Sequence, residues 1–507
     1  MKIQAQIHDI SEHPTPALAL GLFKEENLSS QAIAHSLDQA LDGQLETLLN
    51  DGDFRGRTHE VLVHYPAPSQ PIRRLILVGL GNREDLTKDT LREASTLAAK
   101  KARDLGLETL YTALHRVARE TVNLQDGAEA VAEGAQLGLY RFREFKTQEN
   151  DVRPDPKALI LLSESEEDLT DIETGIHTGE VIASATILTR DLVNRPSNTA
   201  TPTHIAEVAT HMAEETGLAS WTLSRDDLIH EDMHMLLSVN QGGNEPARMV
   251  ILEHNADRTD LPTVVLVGKG ITFDTGGISL KSSRNMDRMK GDMAGAAAVI
   301  GALKAAARLH LPLHVVGITP LTENMPDARA TKPGDVVTSR KGLTVEVINT
   351  DAEGRLILGD ALTYAGTYDP DAVIDIATLT GGRVVALGDH AAAVMGDEPL
   401  IDLSRAAGDA CGERVWPLPL FEAYGKQLES QVADVKNVGG RAASSITAGF
   451  FLSKFKPDDA NWLHIDIAGL ALVDRERPYI PKGGTGFGAR LLIQMLRDWP
   501  EANASNR

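Results

Sequence analysis

The 507-residue chain has a single cysteine, Cys411, few aromatic residues (4%) and no apolar run long enough to span a membrane. A lone cysteine cannot form an intrachain disulfide, which is typical of a protein from a reducing compartment. Residues 1–16 contain no apolar segment of signal-peptide length. We therefore expect a cytoplasmic protein without a membrane partner.

Basic residues are also scarce. The chain has 50 Lys and Arg against 72 Asp and Glu, which gives a formal net charge of −22. Nucleic-acid-binding proteins usually carry a basic patch or stripe, so we expect no nucleic-acid partner. The acidic balance is that of a soluble protein whose surface charge resists aggregation.

The order of apolar runs along the chain predicts an α/β fold. Short apolar runs alternate with segments of helical spacing, a pattern that predicts mostly parallel sheets covered by helices. The length exceeds that of one ordinary core, which indicates two or three domains. The predicted strands cover residues 75–78, 158–162, 264–267, 315–318, 343–348 and 372–377. The predicted helices cover residues 91–105 and 294–308 and a segment ending at Ala365.

A long helix is predicted between the two α/β blocks. Residues 166–190 carry apolar and small side chains at helical spacing. We therefore predict an N-terminal α/β domain over residues 1–165, a linker helix over 166–190 and a C-terminal α/β domain over 191–507.

Charged side chains collect after two of the predicted strands, where ligands bind in parallel sheets. Clustered carboxylates repel one another unless positive charge lies between them, and two divalent cations provide it. Oxygen ligands suit Mg²⁺ or Mn²⁺ and also accept Zn²⁺. The alternative is that these are ordinary loop charges and helix caps. The residues are Lys269, Asp274, Lys281 and Asp292 after one strand, and Asp351, Glu353 and Arg355 after the other.

Several of these residues lie in motifs that resemble the leucyl aminopeptidase (cytosol aminopeptidase) family. The most specific is NTDAEGRL at residues 349–356, and VGKGITFDTGGISLK at residues 267–281 resembles the metal-binding loop of the family. Further matches are MKGDMAGAAAV at residues 289–299, NVGGR at 437–441, HIDIAG at 464–469 and TGFG at 485–488. The resemblance is strong from about residue 180 onward and weaker before it, and it implies a C-terminal catalytic domain.

The resemblance implies a role for each matching residue. Asp274 and Glu353 are expected to bridge two divalent ions, Mn²⁺ or Zn²⁺. Asp351 is expected to bind one ion, and Lys269 and Asp292 the other. The expected catalytic residues are Lys281, which polarises the substrate carbonyl, and Arg355, which holds bicarbonate as general base. The expected substrate-binding residues are Lys281, Met289, Asp292, Asn349, Asp351, Thr378 and Gly381.

The implied function is removal of the N-terminal residue, preferably Leu or a similar apolar residue, from peptides by metal-activated water. The expected partners are peptides with a free N-terminus and further copies of the chain in a homohexamer. Two alternatives stay open: a dipeptidase-like specificity, for example for Cys-Gly, and a non-catalytic oligomeric regulator.

One further motif points to a different metal site. Residues 230–234 fit H-E-x-x-H, the signature of zinc proteases, which requires both histidines on one substantial helix. The predicted helix there is short, and residues 236–239 are predicted to form the next strand. The carboxylate cluster is therefore the favoured site.

Overall fold

A computed structural model describes residues 1–7, 15–117, 119–148 and 153–504. The contacts between residues divide the chain into two compact units. The first unit consists of Met1–Ser184 and the short segment Arg475–Pro481. The second unit consists of Ala185–Asp474 and Lys482–Arg507. The expected pair of α/β domains is confirmed. The division at residues 165 and 190 stays a prediction. Among the described residues, no helix combines the length and apolar character needed to cross a membrane.

The first unit alternates strands and helices. In chain order they are β1 (Lys2–Ile7), β2 (Leu18–Leu22), α1 (Ala32–Ala40), α2 (Gln44–Asn50), β3 (Val61–His64), β4 (Leu75–Gly79), α3 (Lys88–Asp104), β5 (Thr109–Thr112), α4 (Leu124–Leu139), β6 (Ala158–Ser163) and the long helix α5 (Glu166–Asn194), which continues into the second unit.

The sheet of the first unit has apolar side chains on both faces. Its described strands lie in the order β1-β6-β5-β2-β4-β3, parallel except for the antiparallel pair β3 and β4. Ile76 and Val78 pack in a core with α3, α4 and α5, whereas Leu75 and Leu77 pack with α1 and α2. This alternation explains why buried strands such as β4 have continuous apolar sequences.

Small residues let α5 pack closely against α4. A β-carbon at Gly175 or Gly179 would collide with the carbonyl oxygens of Gln125 and Glu129 in α4. The helical spacing of small residues in the sequence therefore marks this helix contact. The helix ends at Asn194, four residues beyond the predicted end at Arg190.

The second unit continues the alternation with more elements. They are α6 (Pro202–Thr216), β7 (Ala219–Leu223), α7 (Arg225–His230), α8 (His234–Asn240), β8 (Arg248–His254), β9 (Thr263–Gly268), β10 (Gly270–Asp274), α9 (Ala294–Arg308), β11 (His314–Asn324), β12 (Asp335–Thr338), β13 (Thr344–Val347), α10 (Gly354–Ala365), β14 (Ala372–Ala377), α11 (Gly381–Leu387), β15 (Ala392–Gly396), α12 (Glu398–Cys411), β16 (Val415–Pro417), α13 (Glu422–Gly425), β17 (Val435–Lys436), α14 (Ser444–Ser453), β18 (Asn461–Asp466), β19 (Leu472–Val473), β20 (Gly483–Gly484) and α15 (Ala489–Ala504).

The main sheet of this unit has the order β16-β15-β18-β14-β9-β11-β8-β7, and β10 pairs with the end of β11. Its centre, β18-β14-β9-β11, is parallel. Val265 and Val267 of β9 pack with α8, α10 and α14 on one face. On the other face, Gly317 of β11 lies against α9, where a β-carbon would meet Leu303 and Val299. The carboxyl ends of the parallel strands therefore form one edge between two helical layers.

Two local predictions were wrong. Residues 236–239 belong to helix α8 and not to a strand, because Met235, Leu236 and Val239 reach the core from one side of a helix. The strand predicted at residues 343–348 is β13, but it lies outside the main sheet. It pairs with β12 and β17 in a separate three-stranded sheet. A short apolar run specifies neither whether it forms a helix or a strand nor, for a strand, which other strand it pairs with.

Candidate metal centre

The predicted cluster forms where several loops meet at the carboxyl edge of the main sheet. Lys269 directly follows β9, and Asp274 ends β10. Asp292 lies just before α9, and the loop from β13 to α10 carries Asp351 and Glu353. Oxygens of Asp274, Asp351 and Glu353 all lie within 4.8 Å of one another. The residues are thus brought together as predicted, although β13 belongs to another sheet.

Lys269 lies at the bottom of the cluster and is 2% exposed. Its Nζ lies 2.8 Å from Asp292 Oδ2 and 2.8 Å from Glu353 Oε1, and it donates to the Thr378 carbonyl at 3.0 Å. Gly354 permits this approach, because a β-carbon there would collide with the Lys269 side chain. The lysine is therefore held between two carboxylates of different loops.

Lys281 is the more accessible lysine of the cluster. Its Nζ lies 2.7 Å from Asp274 Oδ2 and also pairs with Asp351 Oδ1. About a quarter of its side chain (24%) is exposed. The chain turns sharply before it through Gly276, whose φ of +87° favours glycine and whose β-carbon would press on Asp351 Oδ1. Lys281 thus presents its ammonium group from the rim of the cluster.

Burial makes the carboxylates hard to ionise together. Burial raises the pKa of Asp292 to about 8. The charges of Asp274 and Glu353 raise it further, whereas the charge of Lys269 lowers it. Burial and the Glu353 charge likewise raise the pKa of Asp274 to about 6. The pKa of Glu353 is lowered, because Lys269 and Lys281 outweigh its burial. Such mutual repulsion is relieved when divalent cations lie between the groups.

The donor set fits divalent cations. Among the described residues, Asp292 Oδ2 and Asp351 Oδ1 are buried and accept no hydrogen bond of good geometry, although lysine Nζ atoms lie beside them. Burial lowers the pKa of Lys269, but Asp292, Glu353 and Asp274 outweigh burial and raise it overall. The neutral amine that a lysine ligand requires therefore needs cations in the cluster to offset these carboxylates.

Asn324 is a residue that the sequence analysis missed. It ends β11, and its Nδ2 donates to Asp274 Oδ1 at 2.8 Å and to the Thr350 carbonyl at 3.0 Å. Thr350 in turn donates to the Gly276 carbonyl at 2.6 Å. These bonds fix the Asp274 carboxylate relative to the loop that carries Asp351.

We expect Asn324→Leu to weaken metal binding roughly 10–100-fold, as loss of an outer partner of a ligand typically does. The substitution keeps the size of the side chain but removes the donor to Asp274. The measurement is a metal titration of the chelated protein, with Asn461→Leu, at an exposed position of β18, as control. Equal affinities of the two variants would show that Asn324 does not position the carboxylate.

Arg355 lies in the first turn of α10 and is 7% exposed. Its Nη1 donates to the Asn437 carbonyl at 2.8 Å, and its Nε has no partner among the described residues. Burial lowers its pKa to about 10, against the charges of Glu353 and Asp466. A buried guanidinium with a free donor fits an anion beside the cluster.

Asn437 fixes the loop from β13 to α10 and was also missed as a functional residue. Its side chain accepts from Ile348 N at 2.9 Å and donates to the Asn349 carbonyl at 2.7 Å. The NVGGR motif, which begins with this residue, could have identified it, but the motif was used only as a match to the family. Asn349 accepts from Asp351 N through Oδ1 at 2.9 Å.

A cavity of about 300 Å³ opens onto the cluster. Met289, Thr378 and Gly381, expected to bind substrate, line it together with apolar residues such as Val384 and Leu472. Asn349 and Arg355 are not among the lining residues. Thr378 also donates to Asp292 Oδ1 at 2.7 Å.

The H-E-x-x-H motif does not form a single helix. His230 ends α7 and His234 begins α8, with Asp232 between them at a φ of +54°. Glu231, the base in a zinc protease, pairs with Arg340 at 2.5 Å. The two histidines therefore lack the common helical face that the zinc motif needs.

We expect His230→Ala and His234→Ala to keep nearly full activity and metal content. Neither side chain belongs to the carboxylate cluster or to the cavity. Peptidase assays and elemental analysis of both variants check this. Loss of metal from either one would move the metal site to the histidine motif.

The fold and the cluster together define an α/β enzyme with a carboxylate-rich centre suited to divalent ions. The family model described as "Cytosol aminopeptidase family, catalytic domain" matches residues 187–493, and that of the N-terminal domain matches residues 19–149. A probable cytosol aminopeptidase of Geobacter sulfurreducens is 42% identical over 499 residues, covering 98% of this chain and 99% of the relative. One from Roseiflexus castenholzii is 41% identical over 508 residues, covering 99% and 100%. The chain belongs to the cytosol aminopeptidase family, whose reaction is metal-dependent hydrolysis at the N-terminus of peptides.

Solved structures agree with this assignment. A tomato leucine aminopeptidase mutant superposes with a TM-score of 0.86 at 30% identity, covering 98% of this chain and 96% of the other. The bottromycin maturation enzyme BotP in complex with Mn has a TM-score of 0.84 at 35% identity, covering 95% and 99%. The resemblance found in the sequence is thereby confirmed.

Proposed function

We propose that the protein is a dinuclear-metal aminopeptidase that prefers Leu or a similar apolar residue at the N-terminus of a peptide. The observation that carries the proposal is the cluster of four carboxylates and two lysines opening into the cavity. The metal ions are Mn²⁺ or Zn²⁺; Mn²⁺ is supported by the manganese complex of the related BotP.

The proposed ligands are Lys269, Asp274, Asp292, Asp351 and Glu353. When bound, two divalent ions supply positive charge that keeps the carboxylates ionised and makes water a stronger acid. Asn324 holds Asp274 in place, and Thr378 holds Asp292. Because each carboxylate has such a partner or a lysine, the oxygens stay oriented toward the centre of the cluster.

Lys281 is proposed to donate to the carbonyl oxygen of the scissile bond. Its ammonium lies at the rim of the cavity, and its pKa is raised because the charges of Asp274, Glu353 and Asp351 outweigh burial. A fixed cation of this kind stabilises negative charge as it develops on the oxygen.

Arg355 is proposed to hold a bicarbonate ion, which supplies a general base when bound. The support is its buried guanidinium with an unpartnered Nε among the described residues. Its hydrogen bond to the Asn437 carbonyl fixes the side chain in place. Arg355 itself stays a cation and moves no proton.

The walls of the cavity support the preference for an apolar first residue. Met289, Val384 and Leu472 line it together with the charged residues of the cluster. An apolar side chain packed against these three residues loses its contact with water at little polar cost. The charged residues are then left for the free amine and the peptide bond.

Two further parts of the proposal rest on the family. We propose a homohexamer in the cytoplasm. Sedimentation equilibrium checks the first part, and a mass of fewer than six chains would contradict it. Fractionation of the cell checks the second part.

The proposed function is tested with leucine peptides that differ only in the cap on the N-terminus. We expect cleavage of the free peptide and essentially none of its acetylated form. An acetyl group removes the free amine that the metal-loaded cluster is proposed to hold, and its bulk displaces the scissile bond from Lys281. Chromatography of the products measures both rates with the same enzyme preparation. Comparable rates would exclude the proposed exopeptidase binding, and cleavage of Cys-Gly alone would favour the dipeptidase alternative.

A further inference from the structure

A second cavity, also of about 300 Å³, lies within the first unit and takes no part in the proposed reaction. We call it the switch cavity and define it by Leu20, Gln31, Ala32, Ile33, Arg116 and Glu164. Leu20 belongs to β2, whereas Arg116 and Glu164 follow β5 and β6. The cavity therefore lies at the carboxyl edge of the first sheet.

The strand order places the switch cavity where ligands bind in open α/β sheets. From β2 the chain proceeds to β4 on one side of β2 and then returns to β5 on the other side. The connections after β2 and after β5 thus leave the sheet in opposite directions. Such a reversal opens a crevice at the carboxyl ends of the strands.

Two kinds of unused donor line the switch cavity. Helix α1 begins at Ala32, and its N-cap residue Gln31 makes no capping hydrogen bond with its side chain. Gln31 is 7% exposed, and its Oε1 accepts from Phe23 N at 3.3 Å. Its Nε2 has no partner within the described part of the chain. A buried amide without a partner is costly unless a ligand supplies an acceptor.

Arg116 adds a buried positive charge to these donors. It is 9% exposed, and its guanidinium Nη2 lies 2.5 Å from Glu164 Oε2. Its Nε is buried without a partner among the described residues. The Glu164 side chain is 69% exposed, so the partner of this cation is largely solvated. Arg116 therefore retains both charge and donors for an anion.

We propose that the switch cavity binds the phosphate group of a small phosphorylated molecule. The first amide groups of α1, the Gln31 amide and the Arg116 guanidinium provide several donors, which suits the three terminal oxygens of a phosphate. Arg83, Arg119 and Glu120 also line the cavity, and the apolar side chains of Leu20, Ile33 and Val117 in the same lining receive the organic part.

Substitutions at three residues separate anion binding from folding. Gln31→Glu keeps the oxygen that accepts from Phe23 but replaces the free donor by an acceptor. Ala32→Glu adds a negative charge at the exposed start of α1, where acidic residues stabilise a helix but repel an anion. Ala32→Gln, of the same size without the charge, is the matched control. Glu164→Gln frees Arg116 and should tighten binding about threefold, the scale of one exposed ion pair.

The test is calorimetric titration of the full-length, metal-loaded enzyme with inorganic phosphate and with phenyl phosphate, whose organic part is apolar. We expect saturable binding of both, with phenyl phosphate about tenfold tighter, a difference of roughly 1.4 kcal/mol. Gln31→Glu and Ala32→Glu should each weaken binding at least about tenfold, with Ala32→Gln close to wild type.

Three results would overturn the proposal. One is the absence of saturable binding up to about 20 mM of either probe, because a site with a millimolar dissociation constant would saturate below that concentration. Another is binding that Ala32→Glu leaves intact but Lys281→Ala abolishes, since the anion would then bind the catalytic cluster. The third is phenyl phosphate that binds no tighter than inorganic phosphate, because the apolar side chains would then receive nothing. Circular dichroism of each variant shows that its fold is kept.

Discussion

Replacing Lys281 by Ala should lower turnover on leucine anilide by about two to three orders of magnitude, the usual effect of removing one donor to a developing oxyanion. The side chain lies at the rim of the cluster, so its loss leaves all five proposed metal ligands in place. Metal content should therefore stay close to that of wild type. The measurements are turnover and elemental analysis of the same preparation.

Two other variants serve as comparisons for Lys281→Ala: a control at an exposed lysine and a variant of the other proposed catalytic residue. Lys332→Ala, at an exposed ion pair with Asp335, should behave as wild type. Arg355→Ala should keep its metal and show a milder loss of turnover, because buffer partly replaces a base that Arg355 holds. If Lys281→Ala loses its metal, Lys281 is a ligand or a scaffold residue. If Lys281→Ala keeps full turnover, the carbonyl is polarised by another group.

Replacing Glu353 by Ala should abolish metal binding and, with it, activity. Glu353 is buried, and its Oε1 lies 2.8 Å from Lys269 Nζ. Its removal leaves Lys269 facing fewer negative groups and deletes a proposed bridge between two ions. The loss of metal affinity should exceed the roughly 10–100-fold effect typical of an outer partner. Equilibrium dialysis against Mn²⁺ measures it.

The matched control for Glu353 is Asp287→Ala. Asp287 is an exposed carboxylate close to the cluster in sequence, between Lys281 and Asp292. Its loss changes the net charge by the same amount but removes no proposed ligand. If both variants lose metal equally, the effect comes from general electrostatics, and Glu353 is not a ligand.

The sequence predicted the elements whose signal is local. Strands such as β9 and β14 are buried on both faces, so their continuous apolar runs identified them. The residues that form the cluster were also predicted, since they follow strand ends and lie in specific motifs. Their assigned roles as ligands and catalysts remain proposals.

The sequence did not predict features that depend on distant pairing. Strand β11 was predicted only over its apolar run at residues 315–318. In the structure β11 continues to Asn324, since its partner changes from β9 to β10 beyond Ile318. Asn324 was missed for that reason. The placement of β13 in a separate sheet likewise depends on β17, about 90 residues later.

Elemental analysis of the wild-type protein, titrated with Mn²⁺ after chelation and assayed in parallel on leucine anilide, tests the proposed metal centre most directly. We expect no activity in the chelated protein, about two ions per chain at saturation and activity that returns with them. Full activity in the metal-free protein, or saturation at one ion per chain with full activity, would contradict it.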